Sequence, residues 1–201
     1  MGTLPTFLGA TTMKNPTLLL ALAALAAAPL AGAQSPALAS THAPVRAAVT
    51  AGLDDPTIVA IFDAANGWDI ETSQVALKKS RNKEVRRFAS MMVRDHKAVR
   101  QLGRDLARKL HVKPTPPGKD FALYIDHVAA MKSLRTTKGK AFDNAYIDHE
   151  VSYHQAVIDA VTTQLLPATK NADLKALEEK VAPNFVAHLA AAKEVQKSLM
   201  K

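Results

Sequence analysis

Cysteine is absent from the sequence, which removes a disulfide framework, a thiol nucleophile, a thiolate metal site and a lipid-modified N-terminal cysteine together. Aromatics make up only 5% of the residues. They do not interleave with the basic residues as stacking platforms, so nucleic acid is not an expected partner. No stretch alternates apolar and polar residues over successive strands, which excludes a membrane barrel. Neither a nucleophile motif nor a phosphate loop occurs, and no internal repeat is detectable. Acidic side chains are in deficit, 18 against 26 Lys and Arg; the excess of positive charge suits anionic neighbours such as lipid headgroups or envelope polymers.

Ala and Leu are abundant, and a chain of 201 residues can close one sizeable core, so the expected fold class is all-α. The one long apolar run lies near the start. From Met13 the sequence reads MKNPTLLLALAALAAAPLAGAQS, with Lys14 as an n-region, a Leu/Ala h-region and Ala31-Gly32-Ala33 as a cleavage site. Residues 1–33 are therefore read as a secretory signal peptide with its true start at Met13, too short in its apolar part to be kept as an anchor. Residues 34–53, rich in Ala, Pro, Ser and Thr, read as a flexible tether. The mature chain is expected to be periplasmic or secreted, without a transmembrane segment.

Residues 54–201 carry helical periodicity throughout. Asp54-Asp55-Pro56 starts helix one, expected to about Ser80. A short turn capped by Asn82 leads into helix two, where Val85, Phe88, Met92, Val99, Leu106 and Leu110 recur at three- and four-residue steps. Three prolines and a glycine in 112–118 end it, and residues 120–134 form a short crossover helix. Helix three spans about 140–166. Helix four starts at Asn171 or Asp173 and is interrupted by Pro183. Two pairs of antiparallel helices joined by a crossover make a four-helix bundle.

Each long helix places one polar ligand type on or beside its apolar stripe: Glu71, His96, His154 and His188. At about 1.5 Å of rise per residue, Glu71 lies roughly 15 Å before the first turn and His96 roughly 20 Å after it. His154 and His188 lie roughly 20 and 25 Å from the second turn. All four can converge near mid-bundle, with Glu150, one turn before His154, as a further possible ligand. Imidazole with carboxylate suits one transition-metal ion, whose identity stays open. The alternative is a metal-free core in which Glu71, Asp143 and Tyr146 hydrogen-bond the imidazoles. In that case the basic face of helix two, including Arg94, Lys97 and Arg104, serves an interaction module that docks on an anionic envelope partner.

The stretches AANGWDIETSQVAL (64–77), VRRFASMMVRDH (85–96), FDNAYIDHEVSYH (142–154) and PNFVAHLAAA (183–192) resemble a bacterial family of exported ferritin-like proteins. That family is carried as a domain of unknown function and is often labelled an outer membrane protein. The resemblance covers Asp55 to Met200. It implies a ferritin-like four-helix bundle whose signature positions are Glu71, His96, Asp143, Tyr146, His154 and His188, and it brings no activity with it. Ferritins themselves place Glu-x-x-His on two helices for a di-iron centre. Here Val151 and Phe185 stand three residues before His154 and His188, so no di-iron centre is expected.

Overall fold

The computed structural model describes residues 53–201. The signal peptide with its start at Met13, and all of the tether but Leu53, lie outside the described residues. Four long helices form the bundle: α1 (Asp55–Lys79), α2 (Lys83–Lys109), α4 (Gly139–Ala160) and α6 (Ala172–Leu199). The crossover helix α3 spans Ala122–Thr136, and α4 runs on through a π-helical turn, Val161–Leu165, into the single turn α5, Leu166–Ala168. The fold is all-α, and no described helix is long and apolar enough to cross a membrane.

The caps do what their residue types allow. Asp54 accepts from the Thr57 amide at 2.9 Å, Asn82 from Glu84 and Val85, and Asn171 from Asp173 and Leu174, each satisfying amides that the first helical turn leaves unpaired. The π turn was not expected. There the hydroxyls of Thr162 and Thr163 donate back to the carbonyls of Ile158 and Asp159 at 2.6–3.2 Å, side chains competing for the acceptors of a regular helix.

Helix directions follow from contacts between ends. Lys109 pairs with Asp173 at 2.9 Å while Glu84 meets Ser198, so α2 and α6 are antiparallel. Asp55 accepts from the amides of Lys170 and Asn171, and farther along Ser73 meets Tyr146, so α1 and α4 are antiparallel as well. The crossover helix packs on α1 and α4. Its His127 is buried, stacked on Trp68 with ring centroids 5.4 Å apart.

Two apolar clusters fill the bundle. One holds Ile58, Phe62, Val99, Tyr153, Leu174 and Phe185; the other holds Phe88, Met92, Phe142, Tyr146 and Ala192. Between them lies a layer of buried polar side chains from all four long helices, among them Asn66, Asp69, Thr72, Ser73, His96, Glu150, His154 and His188.

Another buried acid stands apart from this layer. Glu178 accepts from the Thr169 hydroxyl at 2.8 Å, but its Oε1 has no hydrogen-bond partner among the described residues. Burial, reinforced by the nearby charges of Asp55 and Glu179, raises its pKa to about 7. A carboxyl that holds its proton in the folded state and loses it in the unfolded one costs stability increasingly as pH rises from about 4.5 to 7. Glu178→Gln should therefore stabilise the protein by about 1–2 kcal/mol above pH 7 and by nothing near pH 4. Urea melts at both pH values check this, and a variant less stable at both would refute it.

Candidate metal centre

The polar layer closes on three histidines. The ring centroids of His96, His154 and His188 lie 5.0–5.6 Å apart, and one nitrogen of each falls in a single group that can hold a metal ion. Each ring is held by its other nitrogen, and that bond sets the tautomer. Asn66 Nδ2 donates to the Phe62 carbonyl at 2.8 Å, which turns Asn66 Oδ1 toward His96 to accept from Nδ1 at 2.9 Å. Nδ1 of His154 donates to the Glu150 carbonyl at 3.0 Å, and Nε2 of His188 donates to Asp95 at 3.2 Å. The lone pairs left are those of His96 Nε2, His154 Nε2 and His188 Nδ1, and all three atoms are buried without a hydrogen-bond partner among the described residues.

The carboxylate facing two of them is Asp69. Its Oδ2 is likewise buried and without a partner, 3.3 Å from His96 Nε2 and 3.6 Å from His154 Nε2. Donors about 2.0–2.2 Å from a tetrahedral ion stand about 3.3–3.6 Å apart, so these separations suit a shared cation better than they suit hydrogen bonds. Burial raises Asp69 to a pKa of about 8. Burial also pulls the histidines down: His96 well below its ordinary value, His154 to about 4, and His188 downward although Asp95 opposes the shift. Neutral imidazoles are the form that ligates metals.

Beneath this set a hydrogen-bonded layer holds Asp69 and Glu150 in place. Thr72 Oγ1 lies 3.2 Å from Glu150 Oε1, and Ser73 Oγ is 2.8 Å from the Tyr146 hydroxyl. Glu150 is buried, its carboxyl raised well above the usual range by burial and then by Asp69. Asp69, Glu150 and His154 form a second group able to hold an ion. That group shares His154 with the first, and the Nδ1 of His154 is already committed to the Glu150 carbonyl. Phe185 stacks on His96 and Tyr153 stands edge-on to His154, so the walls are apolar.

The structure brings together His96, His154 and His188, with Glu150 beside them, but not Glu71. The Glu71 side chain is 56% exposed and accepts from His127 Nε2 at 3.2 Å, on the face of α1 that α3 covers. Two residues along a helix are about 200° apart around its axis, so Asp69 and Glu71 cannot both face the centre. A signal for Asp69 was present: Phe62, Asn66, Asp69, Ser73 and Ala76 form their own three–four stripe. Tyr146 lies under the site through Ser73. Asp143 is far from it, lining a cleft at the bundle end with Lys79, Lys138 and Lys140. On helix two, Arg94 is paired with Asp95, while Arg100 and Arg104 both hold Asp63.

The family described as a domain of unknown function, DUF4142, matches residues 38–195. None of the curated proteins matches the sequence. Among solved structures, CopM is similar in its Cu(II)-bound form, with a TM-score of 0.55, and in its Ag-bound and apo forms, each with 0.56. All three comparisons give 16% identity over 73% of this chain and 98% of CopM. At that identity, the likeness is one of fold.

Proposed function

This chain belongs to the DUF4142 family, whose description carries no activity, and from the four buried donor atoms at mid-bundle we propose that it binds one transition-metal ion through His96, His154, His188 and Asp69. The observation that carries this reading is the meeting of three imidazole nitrogens in one group, with Asp69 Oδ2 3.3 Å from that of His96 and 3.6 Å from that of His154, all four atoms lacking a hydrogen-bond partner among the described residues. Burying unsatisfied polar groups costs about 1–3 kcal/mol each, and four in one place point to a ligand that satisfies them together.

Copper(II) is the ion we favour. Three nitrogens and one oxygen accept zinc or copper, and copper(II) binds such donor sets most tightly among first-row divalent ions. The fold likeness to CopM, solved with Cu(II) and with Ag, points the same way. An ion held so would clamp all four long helices, since α1, α2, α4 and α6 each supply one ligand. With the leader expected from the sequence, the role would be metal handling or stress protection in the cell envelope.

Metal content of the purified, tag-free protein after loading with copper, by elemental mass spectrometry, tests this beside a His96→Ala, His188→Ala double variant. Near-stoichiometric copper in the wild type and its loss in the variant are expected. A wild type that retains none after dialysis would overturn the reading.

A further inference from the structure

The bundle has two seams between its helical hairpins, and they are treated differently. Along the α1–α4 seam lies α3, whose Tyr124 and His127 pack on Trp68. Along the α2–α6 seam two grooves open, of about 430 and 480 Å³, which share Met91. The first is lined by Met91, Asp95 and Leu102 from α2 and by Asn184, Ala187 and His188 from α6.

His188 differs from its two partners in what anchors it. Asn66 and a backbone carbonyl, both inside the bundle, hold His96 and His154. His188 is held by Asp95, whose side chain is 28% exposed and also carries Arg94, itself 73% exposed. One edge of the His188 ring therefore belongs to the buried site, and the other to a carboxylate in an open groove. No other ligand of the set lines this groove.

Resting on the metal reading above, we infer that the ion enters and leaves through the α2–α6 seam, with Asp95 as its outer docking carboxylate and His188 as the ligand that releases first. Asp95 is the one carboxylate of the groove, and Met91 adds a thioether beside it, a donor suited to soft ions. Arg94 masks Asp95 from outside, and the ion displaces it on arrival. Asp95 is also a positioning residue, because its bond to Nε2 keeps Nδ1 of His188 turned inward.

The test mixes metal-free protein with Cu(II) in a stopped-flow instrument and follows release into excess EDTA. Ala187→Phe, at an exposed position lining the groove, should slow uptake and release alike by about tenfold and leave the dissociation constant within about twofold. Asp95→Asn keeps an acceptor for His188 but removes the charge, and should slow uptake more than release. Val128→Phe, on the exposed side of α3, should change neither rate. Wild-type rates in both groove variants, with copper bound at full stoichiometry, would overturn the seam route alone. Reduced capacity rather than reduced rate in Ala187→Phe would also overturn it, since the groove would then be part of the site. Failure of the wild type to take up copper would instead remove the metal reading itself.

Discussion

Asp69→Asn should lower the affinity for copper(II) by about a hundredfold or more and at the same time make the metal-free protein more stable. The first effect follows from removing the carboxylate donor that stands 3.3 and 3.6 Å from the free nitrogens of His96 and His154. Even outer partners of metal ligands contribute about ten- to a hundredfold to affinity. The second follows from linkage. Burial raises the Asp69 pKa from 3.8 to about 8, so at neutral pH the folded chain holds a proton that the unfolded chain has released. Folding stability therefore falls as pH rises between those two values. Asparagine carries no such penalty. A gain of ~2–4 kcal/mol at pH 7, vanishing near pH 4, is the expected order. Competition titration and urea melts of the same preparation measure both. A variant that loses stability at every pH would make Asp69 a structural hydrogen-bonder, and one that binds copper as tightly as wild type would remove it from the ligand set. A residue retained against the stability of the fold is a mark of function.

The choice between Asp69 and Glu71 also shows how far the sequence could be read. Axial position was legible: short capped turns at Asn82 and Asn171 set where each hairpin begins, and counting rise from them put His96, His154 and His188 at one level, where the structure has them. Rotation about the axis was less so. Helix α1 has buried residues on most of its surface, because α2 and α4 cover it on two sides and α3 on a third. Its pattern therefore offered Trp68, Thr72 and Val75 as an inward stripe as readily as Asn66, Asp69 and Ser73. Only α3 resolves the ambiguity, by taking Trp68 and Glu71 for itself. For the same reason nothing in the pattern of the crossover helix announces that His127 is buried against Trp68. Helix α2 had no such ambiguity: its charged residues confine the apolar stripe to one face, and His96 lies on it. The π turn at Val161–Leu165 depends on two threonine hydroxyls choosing backbone acceptors, a competition that composition does not announce.

Copper affinity should itself depend steeply on pH, with its sign set by Asp69 and its lower limit by the histidines. At pH 7 the imidazoles are already neutral, since burial has drawn His154 to about 4 and His96 well below its ordinary value. They have no proton to give up. Asp69, at about 8, does, so binding the ion means exchanging it for a proton. Affinity should then rise about tenfold per pH unit as pH approaches 8 from neutrality, where the exchange involves about one proton, and level off above. Near pH 4 His154 begins to take up a proton as well, and the slope should steepen. Calorimetric titration at pH 6.5 in two buffers of different ionisation enthalpy would show release of about one proton per ion. In Asp69→Asn the same experiment should show almost none, because the remaining ligands are already deprotonated. Proton release that persists in the variant would shift the exchange to Glu150, whose carboxyl is also raised and which touches the site from the α4 side. A flat affinity between pH 5 and 8 would mean that no buried carboxylate takes part, leaving three imidazoles as the whole ligand set.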